Sequence, residues 1–221
     1  MENFTRFGIY CLPEGPLAAF GARWLGWEIA TAQRLEQDPD ITRWTQTPRK
    51  YGFHGTMKPP FRLAEGTTAD ALYAAAEQLA AGQKPVLVPG LKLARLGAFF
   101  ALVPDGDATA LGALTAACVT ELDAFRAPPN EAELAKRRAR KLTDRQEALL
   151  QTWGYPYVLD EFRFHLTLTG RVPPETCDTV KALIEAHLPP LPRPFEINSI
   201  GLVGERPDGQ FETIARLPLL G

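Results

Sequence analysis

The chain holds one serine, three histidines and three cysteines in 221 residues, and each scarcity removes a class of chemistry. Ser199 stands in "INSIG" with no nucleophile elbow around it, which argues against a serine hydrolase. Cys11, Cys118 and Cys177 are widely spaced with no CxxC pair, so neither a disulfide framework nor a zinc cluster is expected. Cys11 falls in an apolar strand and Cys118 in an alanine-rich helix, where burial is a better reading than nucleophilic use. No HExxH and no close histidine cluster is present, so no metal and no cofactor are expected. "GERPDG" has glycines but no following Lys-Ser/Thr, so it reads as a hairpin turn rather than a Walker A loop. A net charge of -2 gives no surplus for a broad nucleic-acid or anionic-membrane surface. The N-terminus lacks a basic segment followed by an apolar core, and the apolar stretch 17–30 is broken by Arg23 and Glu28. No signal peptide or membrane span is expected, and a reducing cytoplasm is the default location.

What is present is a mixed pattern of strands and helices. "RFGIYCLP" and "AFFALVP" are apolar strands closed by proline, each followed by an acidic-Gly turn and a helical period. Later in each half comes a histidine-containing strand, then a helix, then a further strand. His54 precedes Pro85 by 31 residues and His165 precedes Pro194 by 29, so the two halves keep register there. The reading is one bilobal domain over 1–221 with approximate repeats 6–98 and 99–220, and an extra helical insertion around 128–154. The tail reads as a turn at Asp208 and Gly209 with a closing strand. Lacking the strict rhythm of a doubly wound sheet, the pattern predicts an α+β fold with two mainly antiparallel sheets, flanked by helices, around a central cleft.

Two of the three histidines are followed by threonine at +2. Threonine is about 8% of the chain, so this has a chance of roughly 2% before the matching places in the repeat are considered. His187, near a helix end, has no such partner and reads as a surface or capping residue. Strand alternation puts His54, Thr56 and Lys58 on one side, and Arg163, His165, Thr167, Thr169 and Arg171 on another polar face. Two imidazoles suit proton exchange at a phosphate ester, because a pKa of about 6.5 lets one be neutral while the other is charged. Thr56 and Thr167 are expected to donate hydroxyl hydrogen bonds to phosphate oxygens. Lys58, Arg163 and Arg171 are candidate phosphate ligands, and Tyr51, Tyr155 and Tyr157 are candidate stacking groups for a base or sugar. The basic run 136–141 reads either as a solvated helix face or as a lid or polyanion-docking element over the cleft.

"FHGTM" (53–57) and "FHLTL" (164–168) resemble the paired motifs of the 2H phosphoesterase superfamily. "YGFHGTMKPPFRL", "EFRFHLTLTGRV" and "GYPY" are similar to its DUF1045 branch, often associated with phosphonate-utilisation genes. The resemblance implies a bilobal duplicated fold and a metal-independent phosphodiesterase acting on a cyclic phosphate or 2',5'-linked phosphodiester of a nucleotide or sugar phosphate. His54 and His165 would be its acid and base in either order, with Thr56 and Thr167 on the phosphate. The competing expectation is a non-catalytic binder of nucleotides or RNA ends. A small cyclic phosphate or nucleotide is the expected partner, with RNA possible, DNA and membrane not expected, and a monomer as the default state.

Overall fold

A computed structural model of the chain describes residues 3–221. β1 (Arg6–Cys11) is buried along almost all its length, and α1 (Gly15–Leu25) follows it. Helical period runs on past Leu25 in the sequence, but Gly26 takes a left-handed φ of 70° and its N–H caps the Ala22 and Arg23 carbonyls. β2 (Trp27–Glu28) and β3 (Gln33–Arg34) then form a short ribbon, and α2 (Pro39–Arg49) starts on an Asp38 side-chain cap. The first half ends with β4 (Gly55–Phe61), α3 (Ala69–Ala81), β5 (Val86–Val88) and β6 (Leu91–Leu96).

The second half opens with β7 (Phe99–Pro104) and α4 (Thr109–Glu121). The insertion holds two helices rather than one, α5 (Glu131–Arg138) and α6 (Asp144–Trp153), each started by a capping box, Asn130 with Glu133 and Thr143 with Gln146. β8 (Leu166–Thr167), α7 (Cys177–His187), β9 (Phe195–Ile197), β10 (Ser199–Glu205) and β11 (Phe211–Pro218) complete the chain.

The fold is α+β, but the two expected sheets are one. A single open sheet runs β11-β10-β1-β4-β8-β7-β6, and every pairing in it is antiparallel. At the centre of the sheet β4 and β8 meet through one register pair, Gly55 with Leu166. The approach is close: a β-carbon on Gly55 would lie 2.3 Å from the Phe164 ring. The order is two-fold about that seam, since β4 and β8 are followed outward by β1 and β7, then by β10 and β6. β6 of the first half therefore lies beside β7 of the second, and β10 of the second beside β1 of the first, with β11 added outside β10. β5 and β9 pair in a separate ribbon. One sheet face is greasy, with Ile9, Met57, Leu102, Leu166 and Leu202 fully buried, and α4 packs on β4 while α3 packs on β10 and β11. No helix among the described residues is long and apolar enough to cross a membrane.

Candidate active site

Thr56 and Thr167 sit on the other face of the seam, with the two histidines beside them. Carrying the Gly55–Leu166 register one residue each way sets His54 opposite Thr167 and Thr56 opposite His165. The two His-x-Thr segments are thus neighbours in one sheet rather than opposing walls. Most of 161–172 is not regular strand, because Leu159–Glu161 is a short 3-10 turn and only Leu166–Thr167 is paired. Side-chain and loop bonds fix it instead. Trp24 Nε1–H donates to the Leu168 carbonyl at 2.7 Å, Gly170 N–H to Trp44 O at 2.7 Å, and Val172 N–H to Ala98 O at 2.7 Å.

The two rings are held by the same local device. His54 Nδ1 lies 2.9 Å from the Gly52 carbonyl and His165 Nδ1 lies 2.7 Å from the Arg163 carbonyl, each two residues upstream. A carbonyl only accepts, so each Nδ1 carries a proton and donates it. In His54, Nε2 is then the lone-pair nitrogen, and the Thr56 hydroxyl donates to it at 3.0 Å. The His54 ring is stacked on Tyr10, centroids 3.6 Å apart and planes 15° from parallel. Burial pulls the His54 pKa down to about 4, against a partial rise from the Gly52 hydrogen bond, and charge on His165 lowers it further. His54 is therefore a neutral imidazole at pH 7, with Nε2 as its acceptor nitrogen. The Nε2 of His165 has no partner among the described residues, and Phe99 packs 5.7 Å from its ring.

A cleft of about 460 Å³ opens over this face. His54, Thr56, Thr167, Arg171, Tyr51 and Tyr155 line it; His165 is not among the lining residues, its ring lying 5.7 Å from that of Phe99, which is. Three predicted ligands are elsewhere. Lys58 is turned off the His54 face because β4 carries a bulge against β1, Tyr10 pairing with Thr56 and Ile9 with Lys58, which breaks the alternation. Its ammonium is buried and donates to Val119 O at 2.8 Å and Asp123 Oδ1 at 3.3 Å. Arg163 is exposed and contributes its carbonyl to His165. Tyr157 packs edge-on against Tyr155, 5.8 Å away, outside the cleft. Thr169 lies in the cleft wall but spends its hydroxyl on the backbone, accepting from Phe100 N and donating to Gly170 O.

Sequence reasoning missed Arg6, Tyr10 and Thr47, and left Arg137 and Arg140 undecided. All five line the cleft. Arg6 is held bidentate by Glu205 at 2.5 and 2.6 Å and serves as a neutralised wall. Arg137 lies over the Tyr155 ring at 4.5 Å. Among the described residues, Arg137, Arg140 and Arg171 have no carboxylate partner, and no Asp or Glu lines the cleft. The basic run thus divides: Arg138 pairs with Glu147 of α6 at 2.6 Å, and two of its neighbours turn to the cleft. The local field is strongly positive although the chain is not. No group of three or more His, Cys, Asp and Glu among the described residues is arranged to hold a metal ion. Cys11 and Cys118 are buried, which pushes their thiols up to about 12 and away from nucleophilic use.

Comparison with known proteins adds two findings about relatives. The chain is 37% identical over its whole length to a Janthinobacterium sp. (strain Marseille) protein named ribose 1,5-bisphosphate phosphokinase PhnN, covering 52% of it. It is 32% identical over 76% of its length to a Laribacter hongkongensis (strain HLHK9) protein of the same name, covering 40% of it. The chain spans about half the length of the curated relatives it matches. A solved structure, that of TT0787 from Thermus thermophilus, aligns over 98% of both chains at 13% identity with a TM-score of 0.46, too remote to carry an argument. The relatives' names correct the phosphodiesterase expectation: they name a phosphokinase, not a hydrolase of cyclic phosphates or 2',5'-linked diesters. The physical reason for the error is that a neutral imidazole, threonine hydroxyls and free arginines serve any reaction at a phosphate ester, and do not select hydrolysis. Residues 56–212 match the family described as "Protein of unknown function (DUF1045)", and with most of its length so matched the chain belongs to the DUF1045 family.

Proposed function

We propose that this chain is the unit that binds and acts on a phosphorylated ribose, with a phosphate of the ligand seated in the cleft and His54 accepting a proton from a reacting ligand hydroxyl. The observation that carries this reading is the charge pattern. Arg137, Arg140 and Arg171, which have no carboxylate partner among the described residues, share with a neutral histidine a cleft that no described Asp or Glu lines. Thr56 and Thr167 add hydroxyl donors for phosphate oxygens, and Tyr51 and Tyr155 add flat walls suited to a sugar face. The relatives' printed substrate, ribose 1,5-bisphosphate, supports the choice of ligand, and their name supports phosphoryl-group chemistry as the reaction class. It also agrees with the link to phosphonate utilisation that the family resemblance implies.

In this reading Nε2 of neutral His54 accepts a hydrogen bond from a ligand hydroxyl and takes its proton as that oxygen bonds to phosphorus, the Thr56 hydroxyl rotating from the ring to the phosphate. The phosphoryl donor belongs to the remainder of such proteins, because "GERPDG" in this chain lacks the Lys-Ser/Thr of a phosphate-cradling loop. The two-fold strand order and the shared Nδ1 device support descent of both halves from one unit, as in the 2H superfamily, as a proposal about ancestry and not about activity.

The test is to follow ribose 1,5-bisphosphate by phosphorus NMR with the chain present, with and without a nucleoside triphosphate. Ligand resonances should shift saturably with wild type and not with His54→Ala combined with Arg171→Ala. No shift with wild type sinks the reading.

A further inference from the structure

Beside the cleft lies a smaller cavity of about 110 Å³, ample for one tetrahedral oxyanion. It shares Arg6, Pro59, Pro60, Arg137 and Tyr155 with the cleft, so the two are continuous around the Pro59–Pro60 turn of the β4 backbone. Six cations line it, Arg6, Lys58, Arg62, Arg126, Lys136 and Arg137, against a single lining carboxylate, Glu133. Two further carboxylates reach these cations from outside the cavity. Asp123 is shared by Lys58 at 3.3 Å and Arg126 at 2.8 Å, and Glu205 holds Arg6. Glu133 is engaged by Arg62 at 3.2 Å. Lys136 and Arg137 have no carboxylate partner among the described residues. Among the described residues, six positive groups thus face three negative ones around this small space.

Lys58 sharpens the point. Its side chain is 2% exposed, and lysine is rarely buried so far without a dedicated counter-ion. It shares its one carboxylate with Arg126, and burial drops its pKa to about 8. The Val119 carbonyl that it bonds is in the last turn of α4, so one N–H caps that helix. Capping accounts for one of three donors and Asp123 for a second; the third has no hydrogen-bond acceptor among the described residues, and the Phe61 ring lies 5.3 Å away.

We propose that this cavity is a second anion subsite, which seats the other phosphate of a bisphosphorylated pentose whose first phosphate lies in the cleft. The inference rests on the phosphorylated-ribose reading above and adds to it the selection of bisphosphates over monophosphates. Arg137, common to both spaces, lies between the two phosphates, and the apolar Pro59–Pro60 turn sets their separation.

Calorimetric titration with ribose 5-phosphate and with ribose 1,5-bisphosphate tests it, using wild type, Lys58→Met and the exposed Lys136→Ala. Wild type should bind the bisphosphate about tenfold or more tightly than the monophosphate, the effect of added charge-assisted hydrogen bonds. Each variant should pull that ratio toward one and leave ribose 5-phosphate affinity unchanged. Lys136→Ala, on the surface of α5, decides the matter should Lys58→Met fail to fold. Equal wild-type affinities, or a ratio unmoved in Lys136→Ala, overturn the second subsite while the cleft reading stands. Binding of neither ligand overturns both.

Discussion

His54 and His165 carry the same motif and the same Nδ1 bond, yet their surroundings differ. His54 is pressed on Tyr10 and bonded at both nitrogens, while only one nitrogen of His165 is engaged. A proton-resolved NMR titration should find His54 with a midpoint near 4, well below an ordinary imidazole. The stability consequence has a definite sign. The unfolded chain protonates this ring at about pH 6.5 and the folded chain only near 4. Stability is therefore full above pH 6.5 and falls as pH drops through that window, and thermal melts of His54→Gln should show a shallower fall. His54→Ala should lower the rate of the catalysed step by about 10²- to 10⁴-fold, measured under single-turnover conditions. Arg171→Ala should weaken ligand affinity by about tenfold in calorimetry, the loss of one charge-assisted contact at an exposed position.

The seam between β4 and β8 is the element on which the site depends, because it makes neighbours of two strands over 100 residues apart. Its close approach needs the missing side chain of Gly55, whose β-carbon would meet the Phe164 ring. Gly55→Ala should cost about 1–3 kcal/mol in chemical denaturation, in the range of other overpacked positions. Much of this level was legible in the sequence. Alternation puts His165 and Thr167 on a polar face, and Leu166 and Leu168, which fall on the opposite face in that alternation, are fully buried. Alternation failed at Lys58, since a bulge adds a residue to one strand without changing its composition. Two sheets were expected and one found, because period and turn signals specify strands and not which edges pair. The two cleft arginines of the insertion were visible as a basic run, but only the α5–α6 packing, through Arg138 and Glu147, decides which of them face inward.

At the scale of the whole molecule, a chain of net charge -2 gathers arginines around its cleft, so any field they exert is local and screened within about 10 Å at 0.1 M salt. Ligand affinity should accordingly fall as sodium chloride rises from about 50 to 500 mM, more steeply for wild type than for Arg140→Ala, while melting temperature changes little. The chain spans about half the length of its curated relatives. The most direct test is calorimetric titration of ribose 1,5-bisphosphate into wild type and into the triple variant Arg137→Ala, Arg140→Ala, Arg171→Ala at low salt. Saturable one-to-one binding by wild type, lost in a triple variant that still folds, is the result expected from the cleft described. No binding by wild type, or equal binding by both, would contradict it.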